Sequence, residues 1–124
     1  MTKRAAARVV SAEEKKQETE FYRRRNDPHV DVQYVGPDTV VLHHHQLGEI
    51  GSKTELRRRG KVVSVLYVLP RVPLQRWEVL SVEGVPLIVE AESERAASEL
   101  AKETARQSAI ELKNTRPRWV GVAR

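Results

Sequence analysis

QRWEVLSVEGVPLIVEAESERAASELAKETARQSAIEL, residues 75–112, decides the fold class. Side chains alternate across a strand, so Trp77 and Val79 face one way while Arg76, Glu78 and Leu80 face the other. Glu83-Gly84 is a turn dipeptide, and alternation resumes through Val85, Leu87, Val89 and Ala91. Pro86 has no N–H to give to a ladder, so this second strand starts late or lies at an edge. After Ala91 the period changes. Ser93 suits a helix N-cap, and Ala97, Leu100, Ala101, Thr104, Ala105, Ser108 and Leu112 share one side at helical spacing. The spacing predicts a helix over 93–113 that sits close to a sheet, with Trp77 and Leu100 both buried beneath it. Asn114 and Pro117 mark the stop.

Upstream, Ser11 with Glu14 three residues on is a capping box, and a helix over 12–25 follows. Its start is acidic and its end is Arg23, Arg24 and Arg25, which suits the helix dipole at both ends. Phe21 and Tyr22 are its only sizeable apolar residues, so it reads either as a solvated arm frayed in solution or as a polar arm that orders on a partner. Val30, Val32 and Tyr34 alternate as a half-buried strand. A Gly-Pro-Asp turn leads to another strand over 39–47, then to a loop, LGEIGSK, over 47–53. Residues 54–59 fit a short strand or a helical turn, and 57–61 form a basic turn. Residues 62–69 are apolar on both faces, which predicts a central strand covered on both sides. Pro70 and Pro73 interrupt the chain before the hairpin, and residues 118–122 suit a short edge strand carrying Trp119.

The expected fold is α+β: a mostly antiparallel, twisted sheet of about five strands with one long C-terminal helix on one face, plus a polar N-terminal helical arm. The boundaries are 1–27 for the basic arm, 28–113 for the core domain and 114–124 for a basic tail. A hydrophobic fraction of 40% in 124 residues supports one modest core. The chain has no cysteine, hence no disulfide framework or thiolate metal site, and no apolar run of membrane-spanning length. A cytoplasmic or virion setting is compatible with this.

Charge is distributed unevenly. Residues 1–25 carry net +4, residues 26–113 carry −2 and residues 114–124 carry +3, which together make the net +5. The candidate contacts to nucleic acid or to a protein partner are Lys3, Arg4, Arg8, Phe21, Tyr22, Arg23, Arg24, Arg25, Arg57, Arg58, Arg59, Lys61, Arg116, Arg118 and Trp119. Lys and Arg clusters neutralise phosphates, and an aromatic beside them can stack on a base. His43, His44 and His45 invite a metal reading, with His43 and His45 on one strand face and His29 or Glu49 as a third ligand. No spaced third ligand accompanies the pair, so neither a metal site nor a cofactor is expected. Residues 48–54 lack the spacing of a phosphate-binding loop, and no serine stands in a nucleophile elbow. An enzyme is therefore not expected. Two readings follow. One is a small basic accessory protein that binds nucleic acid without sequence preference inside a nucleoprotein assembly. The other is a structural or regulatory subunit, for example a phage component, whose arms bind protein; either allows a homo-oligomer.

The order aromatic-x-Val, Gly turn, strand, then Ser-x-x-x-Ala into an alanine-rich helix resembles the second half of double-stranded-RNA-binding domains. It is also similar to the three-strand-plus-helix arm-binding domains of phage integrases. The likeness covers 75–112 only. The RNA-binding family's basic pair at the helix start is replaced here, since Glu94 and Arg95 follow Ser93. The resemblance therefore implies a fold and does not carry a phosphate grip to this helix.

Overall fold

The computed structural model describes residues 8–114 and 116–123. The chain divides between Pro70 and Arg71 into two compact units. Among the described residues the fold is α+β, with two helices and seven strands, every strand pairing being antiparallel. The strands form two sheets, of four and of three, in place of one sheet of about five. Pro70 and Pro73 account for the split. A run that cannot donate to a ladder ends the first sheet, and the next hairpin starts a sheet of its own. Among the described residues no helix is long and apolar enough to cross a membrane.

The first unit is a helix followed by a four-stranded meander. Helix α1 is Ala12–Arg25, and strands β1 (Val30–Tyr34), β2 (Thr39–His44), β3 (Gly48–Arg58) and β4 (Lys61–Val68) lie in the order β1-β2-β3-β4. Ser11 Oγ caps α1 by accepting from the N–H of Glu14 at 3.1 Å. The reciprocal half of the capping box is absent, because the Glu14 carboxylate accepts from Arg8 at 2.7 Å instead. The helix packs on the sheet and does not stand free. Phe21 is buried, its ring centroid 5.7 Å from that of Tyr67 on β4, and Tyr22 meets it edge-on at 5.2 Å. Of the stretch expected as a loop over 47–53, residues 48–53 are strand, the first half of β3. Gly51 allows it: a Cβ there would come within 3.2 Å of Leu69 and 3.6 Å of Leu42, both packed side chains. The ambiguous residues 54–58 complete the same strand.

β4 departs from expectation. It is an edge strand, not a central one, and Val63, Leu66 and Val68 are exposed. The apolar pattern had been expected to mean cover on both faces. Here the face carrying Tyr67 is covered by Phe21 of α1, while Leu66 and Val68 on the other face stay exposed.

The second unit is built on β5 (Gln75–Leu80), flanked by β6 (Pro86–Ala91) and β7 (Arg118–Val122), with helix α2 (Glu94–Gln107) between β6 and β7 in the chain. Gly84 closes the hairpin at φ +84°, and β6 begins at Pro86 on the sheet edge, as expected. Trp77 is fully buried in a core with Val79, Val89, Ala91, Ala97 and Ala101, and its Nε1–H donates to the Ala91 carbonyl at 3.1 Å. The buried Gln75 ties three segments together. Its Oε1 accepts from Trp119 Nε1 at 2.8 Å, and its Nε2 donates to the Glu92 carbonyl at 2.9 Å. The hairpin-then-helix order expected over 75–112 is present, and the third strand comes from the C-terminal tail.

Two details of α2 are corrected. The helix ends at Gln107, before residue 113, because Ala109 takes a left-handed φ of 54° and Ile110 N–H turns back to the Ala105 carbonyl at 2.8 Å. Leu100 is 42% exposed, not buried. Ala97, Ala101 and Ala105 repeat every four residues and make the contact, while Leu100 sits about 100° round the axis from Ala101. Small residues let the helix approach too closely for an inward Leu alongside them. Ala101→Leu should therefore destabilise by roughly 1–3 kcal/mol through overpacking, and Leu100→Ala by no more than about 0.5 kcal/mol. Urea unfolding of both variants checks this; a larger loss for Leu100→Ala would place the wrong side of α2 on the sheet.

Candidate nucleic-acid interface

β3 outruns its neighbour. The last rung between β2 and β3 is Thr39 opposite Thr54, followed by the Glu55 N–H donating to the Asp38 carbonyl at 2.8 Å. Past that point β3 pairs only with β4, through Leu56 opposite Ser64, Arg57 opposite Val62 and Arg58 opposite Lys61. Residues 56–64 thus form a two-stranded ribbon reaching roughly 14 Å beyond the sheet, about four residues per strand at 3.4 Å each. Arg59 and Gly60 close it with φ of 53° and 77°, the positive pair that a two-residue hairpin turn needs. Glycine takes that angle freely, whereas a left-handed Arg59 costs about 1 kcal/mol.

The cations of the ribbon differ in role. Arg57 is consumed at its base: Nε donates to Asp38 Oδ1 at 2.9 Å, Nη2 to Glu55 Oε1 at 2.9 Å and Nη1 to the Gly60 carbonyl at 3.2 Å. The hydrogen bond to Asp38, then that to Glu55, holds its pKa above the ordinary arginine value. It braces the ribbon against the turn before β2. Arg58, Arg59 and Lys61 are exposed at the tip, and none has an ion-pair partner among the described residues. Leu56, 60% exposed, and Val63 lie on the ribbon shaft. Sequence reading passed over these two; an apolar residue on each side of a basic turn was the available signal.

The remaining candidates divide differently from expectation. Lys3 and Arg4 lie outside the described residues. Arg8 pairs with Glu14 at 2.7 Å and Arg23 with Glu20 at 2.9 Å. Arg24, only 13% exposed in its side chain, bonds Glu20 at 2.9 Å and the carbonyls of Ile50 and Pro70, each at 2.6 Å. Arg25 lies 5.7 Å from the Tyr22 ring centroid, and Tyr22 Oη accepts from Lys53 Nζ at 3.0 Å. In the second unit Arg116 meets Glu94 at 3.2 Å and Arg118 meets Glu78 at 3.2 Å. Phe21 is buried, and the half-buried Trp119 donates its N–H to Gln75. The three neighbouring arginines of α1 thus have different internal partners. The cluster that the fold brings together and leaves unpaired is Arg58, Arg59 and Lys61.

The histidines do a structural job at the turn after β2. His44 is buried, and its Nδ1 accepts from the N–H groups of Gln46 at 3.1 Å and Leu47 at 3.2 Å. Its ring stacks on His29 with centroids 5.9 Å apart. His45 leaves the strand and places Nε2 3.1 Å from Asp31 Oδ2. Burial pushes the His44 pKa below the ordinary 6.5; Asp27 opposes this, and the neighbouring histidines add to it. Protonating Nδ1 would also break both turn bonds.

No family model, curated protein or solved structure matches this chain.

The unfolded chain takes up the His44 proton near 6.5, and the folded site only at lower pH. Stability contributed by neutral His44 is therefore complete above about 6.5 and is lost as pH falls toward the folded value. His44→Gln should be less stable than the wild type at pH 7, and its unfolding free energy should fall less between pH 7 and 5. Parallel stability–pH profiles in the two proteins would contradict this role.

Proposed function

We propose that the chain binds nucleic acid without sequence preference, as a small non-enzymatic subunit of a nucleoprotein assembly in the cytoplasm or a virion. The contact is the β3–β4 ribbon. The observation that carries the proposal is the set of unpaired Arg58, Arg59 and Lys61 side chains at the end of a projecting two-stranded ribbon. A two-stranded ribbon fits the major groove of a duplex, and its tip cations neutralise the flanking phosphates. Phosphate contacts carry no base information, which makes the binding general. Exposed Leu56 and Val63 supply apolar contact along the shaft. The N-terminal and C-terminal arginines contribute less than their number suggests, because acidic side chains already neutralise Arg8, Arg23, Arg116 and Arg118. A second reading, a subunit whose main contacts are with protein, is favoured by one observation, the exposed apolar edge of β4.

A salt titration of binding to a random-sequence duplex tests the proposal. The wild type should show affinity falling steeply with salt. Arg58→Ala, Arg59→Ala and Lys61→Ala combined should flatten the log–log slope by about two to three, at about 0.9 per phosphate. Arg95→Ala with Arg106→Ala, which removes two cations from the solvent face of α2, should leave the slope unchanged. No binding by the wild type at low salt, or equal flattening by both variants, would overturn the ribbon as the contact.

A further inference from the structure

β4 ends the four-stranded sheet, and over 62–69 it carries no charge and no proline. Soluble proteins protect such an edge with charged side chains, prolines, bulges or a covering element. Here the devices within the strand are Lys61 at its first residue and the register shift that skips Val63, and both lie at the ribbon end. Past it, Leu66 is 63% and Val68 53% exposed. The opposite edge of the same sheet is guarded. β1 is short, has exposed Asp31 as its second residue, and is followed by an exposed turn containing Pro37. One edge of the sheet is closed to addition and the other is open.

We infer that a second copy of this chain pairs along β4, antiparallel about a two-fold axis at Leu66, giving a dimer with one continuous sheet across both copies. Three observations select a second copy as the occupant. The segment is self-complementary: with Leu66 opposite itself, Val65 meets Tyr67 and Ser64 meets Val68, so no like charges stand opposite each other. Lys61 and the chain beyond Pro70 fall outside the paired segment 64–68. The side chains on each face continue in kind, with the exposed Leu66 and Val68 of both copies forming one apolar strip opposite the face that α1 covers. Finally, the pairing uses up the open edge of the four-stranded sheet in each copy and leaves only that sheet's guarded β1 edges outside, so addition along this sheet closes at two. The two basic ribbons then lie at opposite ends of the shared sheet. The inference does not depend on what the ribbons bind.

The chain has no cysteine, so a single introduced thiol reports only on contact between copies. Residues directly opposite in an antiparallel pair have Cα atoms about 4.5–5.5 Å apart, within disulfide reach, so Leu66→Cys should cross-link under mild oxidation on the order of tenfold faster than Leu100→Cys. Leu100 is a similarly exposed position on α2. In sedimentation the wild type should have twice the 14.1 kDa chain mass, while Leu66→Lys and Leu66→Glu should each be monomeric. An equimolar mixture of those two variants should recover the dimer, because the charges then oppose at the axis. The inference is overturned by a wild type that stays monomeric at every concentration, by a mass that climbs past the dimer, or by a dimer indifferent to Leu66→Lys. Equal cross-linking of the two cysteine variants overturns it as well.

Discussion

The first unit depends on the guanidinium of Arg24. Helix α1 is polar along most of its length, and Phe21 is its one buried side chain. A helix of 14 residues with so little burial is marginal alone. Arg24 supplies what the apolar face lacks. Its Nε meets Glu20 and its Nη1 meets the carbonyls of Ile50 and Pro70, which fastens the helix at once to β3 and to the chain leaving β4. Hydrogen bonds to a charged group are worth about 1.5–3 kcal/mol, and a shielded guanidinium left unpaired would cost more. With α1 fastened, Phe21 can close on Tyr67 and Tyr22 can accept from Lys53. The covered face of the four-stranded sheet follows from that contact, and so does the uncovered one.

This anchor changes how the positive charge of the chain is read. A count by segment places the excess at the two ends, yet a charge acts on a partner only when no internal group has claimed it. Among the described residues, acids or carbonyls are matched to Arg8, Arg23, Arg24, Arg116 and Arg118, whereas the turn between β3 and β4 holds Arg58, Arg59 and Lys61 with no such match. Coulomb attraction to phosphate is long-ranged and weakened by salt, so a few unneutralised cations on a projecting ribbon outweigh a larger number of paired ones. The same hairpin carries the open sheet edge. One surface of the ribbon strands faces nucleic acid in this account, and the backbone of β4 faces a second copy.

Much of the fold was legible in the sequence because it rests on local rules. Ser11 and Ser93 capped their helices, α1 ran over the expected 12–25, Gly84 made its turn, Pro86 opened an edge strand, and alternation put Trp77 and Val79 inside. What was not legible depends on partners distant in the chain. Periodicity says that residues 62–69 are apolar on both faces but not whether anything lies against them. It places Leu100 on the apolar side of α2 without showing that three alanines define the contact line. The division into two sheets needed the pairing of residues 118–122 with β5, a strand more than 35 residues earlier. The same limit applied to the site. Arg23, Arg24 and Arg25 look alike in sequence, and only the fold shows one carrying two carbonyls, one paired with Glu20 and one over a tyrosine ring.

The central claim is that α1 is part of the folded body and that the ribbon is the surface that meets nucleic acid. Amide hydrogen exchange, measured with and without a random-sequence duplex at low salt, tests both halves in one experiment. The amides of α1 should exchange slowly in the free protein and be unchanged by the duplex, while residues 56–64 should gain protection when it is added. An α1 that exchanges as freely as an unfolded arm, and becomes protected only with the duplex, would contradict it.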